Sequence, residues 1–382
     1  MRLLHVIAVF FSIQWIGAQT QLNFDKVVTS DFETSWVSNI IQDTYGYIWI
    51  GTQDGLYRYD GYEMLAFRNK PYDANSLPGN WVRYIDNSNK DQLWMAVYGG
   101  GLSRLHLKEL QFYNHENTAN CGYFLKQVVA TPNNELFIIS EDLGILYAKP
   151  DTDTIKKIGW GSSTSQMANS GDEFYVTEGD MVFKFDFQTE TLIPLIKTFS
   201  ADILSIKAIS KNKLLLGTED GLFSMNVETG EMNSIYKRSA VTLISNEFNG
   251  QVYFGGGHTL YRCSLNPEGS FEIQPIDTPE GSLTSLFIDT DGYLWMGTEK
   301  GLWKERTRFS GLINPNLPFH ARRILKKDEV VYLLGKDGLI RKPIKEPYER
   351  LFEDQWFTGG NIINNEIWLG NYNGEVLVID LL

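Results

Sequence analysis

The sequence has few cysteines, few prolines and a deficit of basic residues. Its 382 residues include Cys121 and Cys263 as the two cysteines, 12 prolines, and 34 Lys and Arg against 47 Asp and Glu. Two cysteines cannot form a disulfide framework or a four-ligand zinc site, so ordinary packing has to stabilise the fold. The formal net charge of −13 repels phosphate backbones, which disfavours nucleic acid as a partner.

Long apolar runs are also scarce. The N-terminal run, residues 3–11, follows Arg2 and precedes Gly17, Ala18 and a polar stretch, a pattern that resembles a secretory signal peptide cleaved near Ala18. A short membrane anchor or a buried first strand is the alternative. No later stretch reaches the roughly 20 apolar residues of a membrane-spanning helix. We therefore expect residues 1–18 to be a signal peptide and the mature chain, with no membrane span, to be periplasmic or secreted.

A repeat runs along the whole chain. Residues 43–58, DTYGYIWIGTQDGLYR, recur at 289–304 as DTDGYLWMGTEKGLWK. Weaker copies bring the number to nine, with a central aromatic residue or Leu at positions 49, 94, 137, 175, 215, 253, 295, 332 and 368. The spacing of roughly 40 residues is that of a four-stranded propeller blade. Strand-length apolar segments alternate with Asp- and Gly-containing turns, and the high glycine count, 34, fits many tight turns. The sequence thus predicts an all-β propeller.

The number of copies suggests how the chain is divided. We predict a signal peptide at 1–18, a seven-bladed propeller at 19–312, and two further repeats at 313–382 that begin an incomplete second propeller. Residues 23–28 would supply the outer strand of the seventh blade. A single ring of eight or nine blades is the alternative, because an incomplete second propeller exposes strand edges. The sequence alone does not decide between them.

The residues that define the repeat are expected to be structural. Asp43 and Asp289 begin tight turns in which Gly46 and Gly292 take positive φ. A calcium loop at residues 289–292 is the alternative, but the downstream Glu of such a loop is missing, so no metal is predicted. The second-strand tryptophans are expected to pack between blades; they are Trp49, Trp94, Trp295 and Trp368.

The first two repeats carry a family resemblance. GLYRYDGYE at 55–63 and DANSLPGNWV at 73–82 resemble the two-component regulator propeller family. The resemblance implies the extracytoplasmic sensor region of a hybrid histidine kinase of Bacteroidetes type, whose ligands are typically glycans. In that family two propellers precede a β-sandwich, a membrane helix and a cytoplasmic kinase. With nine repeats and no kinase motif, this chain is interpreted as a truncated member that is not itself an enzyme.

Candidate binding residues follow from propeller geometry, because ligands meet the channel mouth formed by the starts of the inner strands and nearby turns. Exposed aromatic side chains there suit sugar rings, although packing is the alternative for the tryptophans. The basic run at 320–327 suits an anionic ligand, or is a solvated strand end. No catalytic residue or cofactor is predicted. The predicted ligand-binding residues are Trp36, Trp81, Arg83, Tyr98, Tyr123, His258, Arg322 and Arg323.

These observations lead to one favoured function and two alternatives. The favoured function is an extracytoplasmic sensor propeller of a two-component system, with an oligosaccharide ligand and a kinase half or other membrane signalling protein as partner. The alternatives are a secreted scaffold for protein interactions, favoured by a flat mouth without aromatics, and an extracellular carbohydrate-active enzyme, favoured by converging carboxylates or a metal in the channel.

Overall fold

The chain folds almost entirely into antiparallel β-sheets. The structure, a computed structural model, contains 35 strands and no helix among the residues it describes. No helix in that part of the chain is therefore long and apolar enough to cross a membrane. The described residues are 22–29, 32, 35–87, 90–114, 121–149, 154–196, 201–265, 271–306, 321–328, 330–335, 337–343, 348–353, 355–371 and 373–381.

The chain divides into two compact units, which we call unit 1, Met1–Arg306, and unit 2, Thr307–Leu382. The predicted signal peptide at 1–18 lies outside the described residues. The predicted domain boundary at residue 312 also lies outside them.

Unit 1 contains seven four-stranded sheets among its described residues, each a propeller blade. In blades 1 to 6 the four strands follow one another in sequence, with the innermost strand first. The bounds are β2 Val37–Gln42, β3 Ile48–Thr52, β4 Gly55–Tyr59 and β5 Met64–Phe67 in blade 1; β6 Trp81–Asp86, β7 Gln92–Tyr98, β8 Gly101–His106 and β9 Gln111–Asn114 in blade 2; β10 Leu125–Ala130, β11 Leu136–Ser140, β12 Gly144–Lys149 and β13 Thr154–Gly159 in blade 3; β14 Met167–Ser170, β15 Glu173–Glu178, β16 Met181–Asp186 and β17 Thr191–Ile196 in blade 4; β18 Ile203–Ser210, β19 Lys213–Thr218, β20 Gly221–Asn226 and β21 Met232–Tyr236 in blade 5; β22 Leu243–Ile244, β23 Gln251–Gly256, β24 Thr259–Leu265 and β25 Phe271–Ile276 in blade 6.

Blade 7 joins the two ends of unit 1. It consists of β26 Leu283–Ile288, β27 Leu294–Thr298, β28 Gly301–Glu305 and the N-terminal strand β1 Phe24–Val27. Strand β1 pairs antiparallel with β28, so the predicted outer-strand role of residues 23–28 is confirmed. This pairing protects the edge that β28 would otherwise expose.

Blade 7 also contacts blade 1 directly, which closes the ring. The Thr284 hydroxyl donates a hydrogen bond of 2.5 Å to the Val37 carbonyl. The backbone N–H of Thr290 donates to Gln42 Oε1 at 2.8 Å. The ring therefore closes after seven blades, and the alternative of one eight- or nine-bladed ring is wrong.

The second strand of each blade carries the packing between neighbours. The central aromatic residue or Leu of each repeat, which we call the repeat marker, lies on a second strand in all nine copies. The predicted repeat is therefore confirmed. Trp49 is fully buried among Val82, Ile85 and Met95 of blade 2. The equivalent Trp94 and Trp295 are buried in the same way against blades 3 and 1. For these three tryptophans the predicted packing role is confirmed, and their burial supplies much of the hydrophobic stabilisation between blades.

A glycine two residues after Trp49 and another two residues after Trp295 permit the close approach of the next blade. A Cβ on Gly51 would lie 2.8 Å from the Val82 carbonyl oxygen of blade 2. A Cβ on Gly297 would lie 2.6 Å from Val37 Cγ1 of blade 1. Real Cβ atoms do not approach neighbours so closely, so blades 1 and 7 need glycine at this position to pack against the next blade.

The repeated aspartates hold both the turn and the tryptophan. Asp289 Oδ1 accepts hydrogen bonds from the backbone N–H groups of Asp291 and Tyr293, and Oδ2 accepts one of 2.8 Å from Trp295 Nε1. Asp43 makes the same set of bonds. The oxygens of both carboxylates therefore accept hydrogen bonds from groups of the protein. This is the predicted structural role and not that of a calcium loop.

Unit 2 contains two sheets with a core of their own. The first consists of β29 Ala321–Lys327, β30 Val330–Gly335, β31 Gly338–Pro343 and β32 Glu349–Glu353, and the second of β33 Phe357–Ile363, β34 Glu366–Asn371 and β35 Val376–Asp380. Leu334, Phe357 and Ile367 are buried between the sheets. Trp368 is 41% exposed, so its predicted packing role is wrong. No sheet follows β33–β35 among the described residues to cover it.

Candidate functional site

The inner strands of the seven blades in unit 1 surround a central channel. Its cavity volume is about 570 Å³, within the range of small-ligand sites. Each blade contributes residues to the lining, and most of the polar ones are amides or hydroxyls. The charged lining residues in the described part are Arg83, Asp86, Lys126 and Lys207. The channel thus carries more positive than negative side chains in a chain whose net charge is −13.

A β-bulge recurs at the start of the inner strands and orients the residues at one level of the channel. In blade 2 the strand register passes from Val82 to Tyr84 and leaves Arg83 as the extra residue. In blade 3 it passes from Leu125 to Gln127 and leaves Lys126. Bulges commonly redirect a side chain at barrel rims and next to active sites. The other bulged residues at this level in unit 1 are Ser38, Leu204 and Thr284.

Aromatic side chains surround Arg83 at the channel mouth. The centre of its guanidinium lies 5.5 Å from the Trp81 ring centroid and 5.3 Å from that of Tyr98, a cation–π arrangement. The Trp81 and Tyr98 centroids are 4.6 Å apart. Arg83 Nη1 also forms an ion pair of 2.5 Å with Glu141, whose side chain is partly exposed. The mouth therefore combines flat apolar faces with a fixed cation.

Lys126 is the neighbouring cation. Its Nζ donates hydrogen bonds of 2.7 Å to the backbone carbonyls of Ser163 and Ser165, which fix the ammonium between blades 3 and 4. Burial, together with repulsion from Arg83, lowers the pKa of Lys126 to about 8, and Glu141 opposes this shift. The protein therefore compensates the charge of the Lys126 ammonium only in part. Ionisable groups perturbed in this way are common at functional sites.

A second charged level lies deeper in the channel. Asp86 pairs in register with Trp94, and Lys207 with Leu215, so both stand opposite the repeat marker of their blade. Asp86 accepts a hydrogen bond from the Ala130 N–H at 3.1 Å. Burial lowers the pKa of Lys207, while the Asp86 carboxylate raises it. Burial and Asp86 raise the pKa of Tyr84 to about 12.

The structure brings six of the eight predicted site residues to one end of the ring. Trp36, which is 41% exposed, lines the channel with Trp81 and Arg83. The carbonyl of Tyr123 accepts from the N–H of Gly99, beside Tyr98. His258 lies near Ser282, with Nε2 and Oγ 3.5 Å apart, and the cavity lining includes none of Tyr98, Tyr123 and His258.

The remaining two predicted residues belong to unit 2. Arg322 occupies the bulge position of β29, but its side chain lies outside the described residues. Arg323 is exposed on the same strand. Arg323 is not among the described residues that line the channel of unit 1.

Sequence reasoning missed Lys126, Asp86 and Lys207. Lys126 could have been predicted from its position in the repeat. It follows the apolar residue Leu125 at the start of its inner strand, just as Arg83 follows Val82 in the preceding blade. Asp86 and Lys207 carry no such signal, because polar residues that face the channel resemble those that face solvent.

The arrangement does not favour hydrolysis. Asp86 is the one carboxylate among the described residues that line the channel, whereas most glycoside hydrolases use two. No group of three or more His, Cys, Asp or Glu side chains in the described part of the chain is placed to hold a metal ion. The channel mouth instead presents aromatic faces and fixed cations, which are groups suited to binding.

The fold and the repeat define a seven-bladed β-propeller with further blades in unit 2. The family model "Two component regulator propeller" matches residues 31–54 and 279–300, within the strongest repeats. Both matched segments overlap the repeat copies at 43–58 and 289–304, and this supports the resemblance to the family that the sequence indicated. Histidine kinase P4 of Formosa agariphila is 44% identical over 43 residues, which are 11% of this chain and 3% of that protein.

Solved structures share the fold at low sequence identity. The extracellular domain of the hybrid two-component system BT4673 from B. thetaiotaomicron has a TM-score of 0.62 and 16% identity, covering 94% of this chain and 52% of that one. The corresponding domain of BT3049 has a TM-score of 0.62 and 13% identity, covering 94% and 59%. Virginiamycin B lyase from Staphylococcus aureus has a TM-score of 0.58 and 14% identity, covering 75% and 98%. The chain thus spans about half the length of the two sensor domains and nearly all of the lyase.

Proposed function

We propose that this chain is an extracytoplasmic sensor propeller of a two-component signalling system and that it binds a glycan at the channel mouth of unit 1. The match of two repeats to the regulator propeller model and the shared fold of the two extracellular domains support the sensor role. The partner would be a histidine kinase module, or another membrane signalling protein, that receives the signal.

The observation that carries glycan binding is the group of aromatic side chains at the mouth. Trp36 presents an exposed indole that lines the cavity, and Trp81, which lines the same cavity, contacts Tyr98 beside Arg83. Indole and phenol rings pack well against sugar faces, while nearby polar groups bind hydroxyls. A scaffold without a small ligand would need none of these features, so the mouth favours the sensor over the secreted scaffold.

A glycan array followed by calorimetry tests this function. The purified chain is expected to bind a restricted set of saccharides. Trp36→Ala should weaken binding of the best one about tenfold, since stacking on an aromatic face contributes roughly 1–1.5 kcal/mol. Trp160→Ala is the matched control, because Trp160 is 82% exposed and follows an outer strand away from the channel. No binding to any saccharide, or equal losses in both variants, would contradict the proposal.

A further inference from the structure

The charge of the channel differs in sign from the charge of the chain. Arg83, Lys126 and Lys207 face the cavity with Asp86 as their single carboxylate among the described lining residues. Arg83 is paired with Glu141, and Lys207 lies near Asp86. The Lys126 ammonium, in contrast, has no hydrogen-bonded carboxylate among the described residues, so an anionic ligand would offset the cost of its burial. An anionic ligand would compensate this excess of positive charge.

Two of these cations occupy matching positions. Arg83 and Lys126 are the bulged residues of adjacent inner strands, β6 and β10, and so lie at the same level of the channel. Glu141 is the one hydrogen-bond partner of the Arg83 side chain among the described residues, and its exposed position makes that ion pair weak. Lys126 donates to two backbone carbonyls, which neutralise no charge.

We propose, on the basis of the glycan-binding function above, that the mouth recognises an acidic saccharide whose carboxylate or sulfate group binds between Arg83 and Lys126. Guanidinium and ammonium groups form the strongest hydrogen bonds with such anions. The sugar ring that carries the anion packs on Trp36, which lies at the rim of the same cavity. The two bulged cations and the Trp36 indole thus line the same cavity.

The basic residues of unit 2 provide the competing location. The sequence alone pointed to Arg322 and Arg323 for an anionic ligand. Arg323 is exposed and lies on a strand outside the channel of unit 1. Substituting Arg323 therefore serves as the matched control for substituting Arg83.

Calorimetry with a matched pair of ligands tests the proposal. The pair is the acidic saccharide that binds best on the array and its carboxyl-reduced or desulfated counterpart, with sodium sulfate as the simple anion. The acidic saccharide should bind at least about tenfold more tightly than its neutral counterpart, as expected for one charge-assisted hydrogen bond. Arg83→Gln and Lys126→Gln should remove most of that preference, whereas Lys126→Arg and Arg323→Gln should keep it.

The outcomes separate this inference from the proposed function. Tight binding of neutral saccharides, unchanged in Arg83→Gln and Lys126→Gln, would overturn the inference and leave glycan binding intact. Loss of the acidic preference in Arg323→Gln alone would also overturn it. Equally tight binding of sodium sulfate would show a simple anion site and overturn the saccharide assignment. No binding by any saccharide would contradict both proposals. Unchanged circular dichroism and thermal melting would show that the variants fold.

Discussion

The same repeat motif is buried in unit 1 and exposed in unit 2. Trp49 is fully buried, whereas Trp368 at the equivalent position is 41% exposed. Both lie at the centre of a second strand and both indoles donate to a carboxylate, Asp43 or Glu366. The difference shows that the tryptophan is buried by the following blade and not by its own sheet. The motif therefore encodes an interface between blades, and its stabilising effect depends on a neighbour.

The largest expected difference between the two positions is in stability. Trp49→Ala should lower the free energy of unfolding of unit 1 by roughly 3–5 kcal/mol, because it opens a cavity between blades 1 and 2 and leaves Asp43 without its indole donor. Trp368→Ala should cost less than about 1 kcal/mol, since much of that side chain is already in water. Urea denaturation followed by circular dichroism measures both. Similar losses at the two positions would contradict the comparison.

A smaller difference is expected for the glycine of the motif. Gly297→Ala should destabilise unit 1 by about 1–3 kcal/mol, because the new methyl group would meet Val37 of blade 1 at 2.6 Å. Gly370→Ala in unit 2 should be neutral or slightly stabilising, since its nearest neighbour is Thr358 Oγ1 at 3.8 Å and alanine restricts the unfolded chain. Thermal melting of both variants checks this, and a destabilised Gly370→Ala would show that the glycine serves its own sheet.

The smallest expected effect is a pH dependence of saccharide binding, which Lys126 of unit 1 would cause. The pKa of Lys126 is about 8 because of burial and Arg83, against Glu141, so its charge is lost as the pH rises from 7 to 9. Binding of the acidic saccharide should weaken about tenfold over that range if the protonated ammonium binds the anion. Lys126→Arg should abolish this dependence. Calorimetry at pH 7, 8 and 9 measures it, and a flat profile for the unmodified chain would contradict binding of the anion by Lys126.

Much of the fold could be predicted from the sequence because the repeat is local. Each marker, such as Trp94 or Leu215, fixes one second strand, and the turns on either side define the sheet. The number of blades in the ring could not be predicted in this way. It depends on β1 pairing with β28 across nearly the whole length of unit 1, so the sequence favoured seven blades but left eight or nine open.

The candidate site could be predicted in part, because the position of a residue within the repeat is also a local property of the sequence. Trp36, Trp81 and Arg83 precede or begin inner strands, which propeller geometry places at the mouth. Lys126 was missed because its orientation depends on a bulge, and a one-residue change of register moves a side chain to the other face of a strand. Arg322 and Arg323 form the clearest basic run in the sequence, yet they lie in unit 2. Charge clustering in sequence was a poorer guide than position within the repeat.

Hydrogen–deuterium exchange with and without the best saccharide from the array tests the central claim most directly. If the channel mouth of unit 1 is the binding site, added saccharide will slow exchange in peptides that contain Trp36, Trp81, Arg83 and Lys126, and leave those of β29 to β35 unchanged. Protection confined to unit 2, or to outer strands such as β13, would contradict the account.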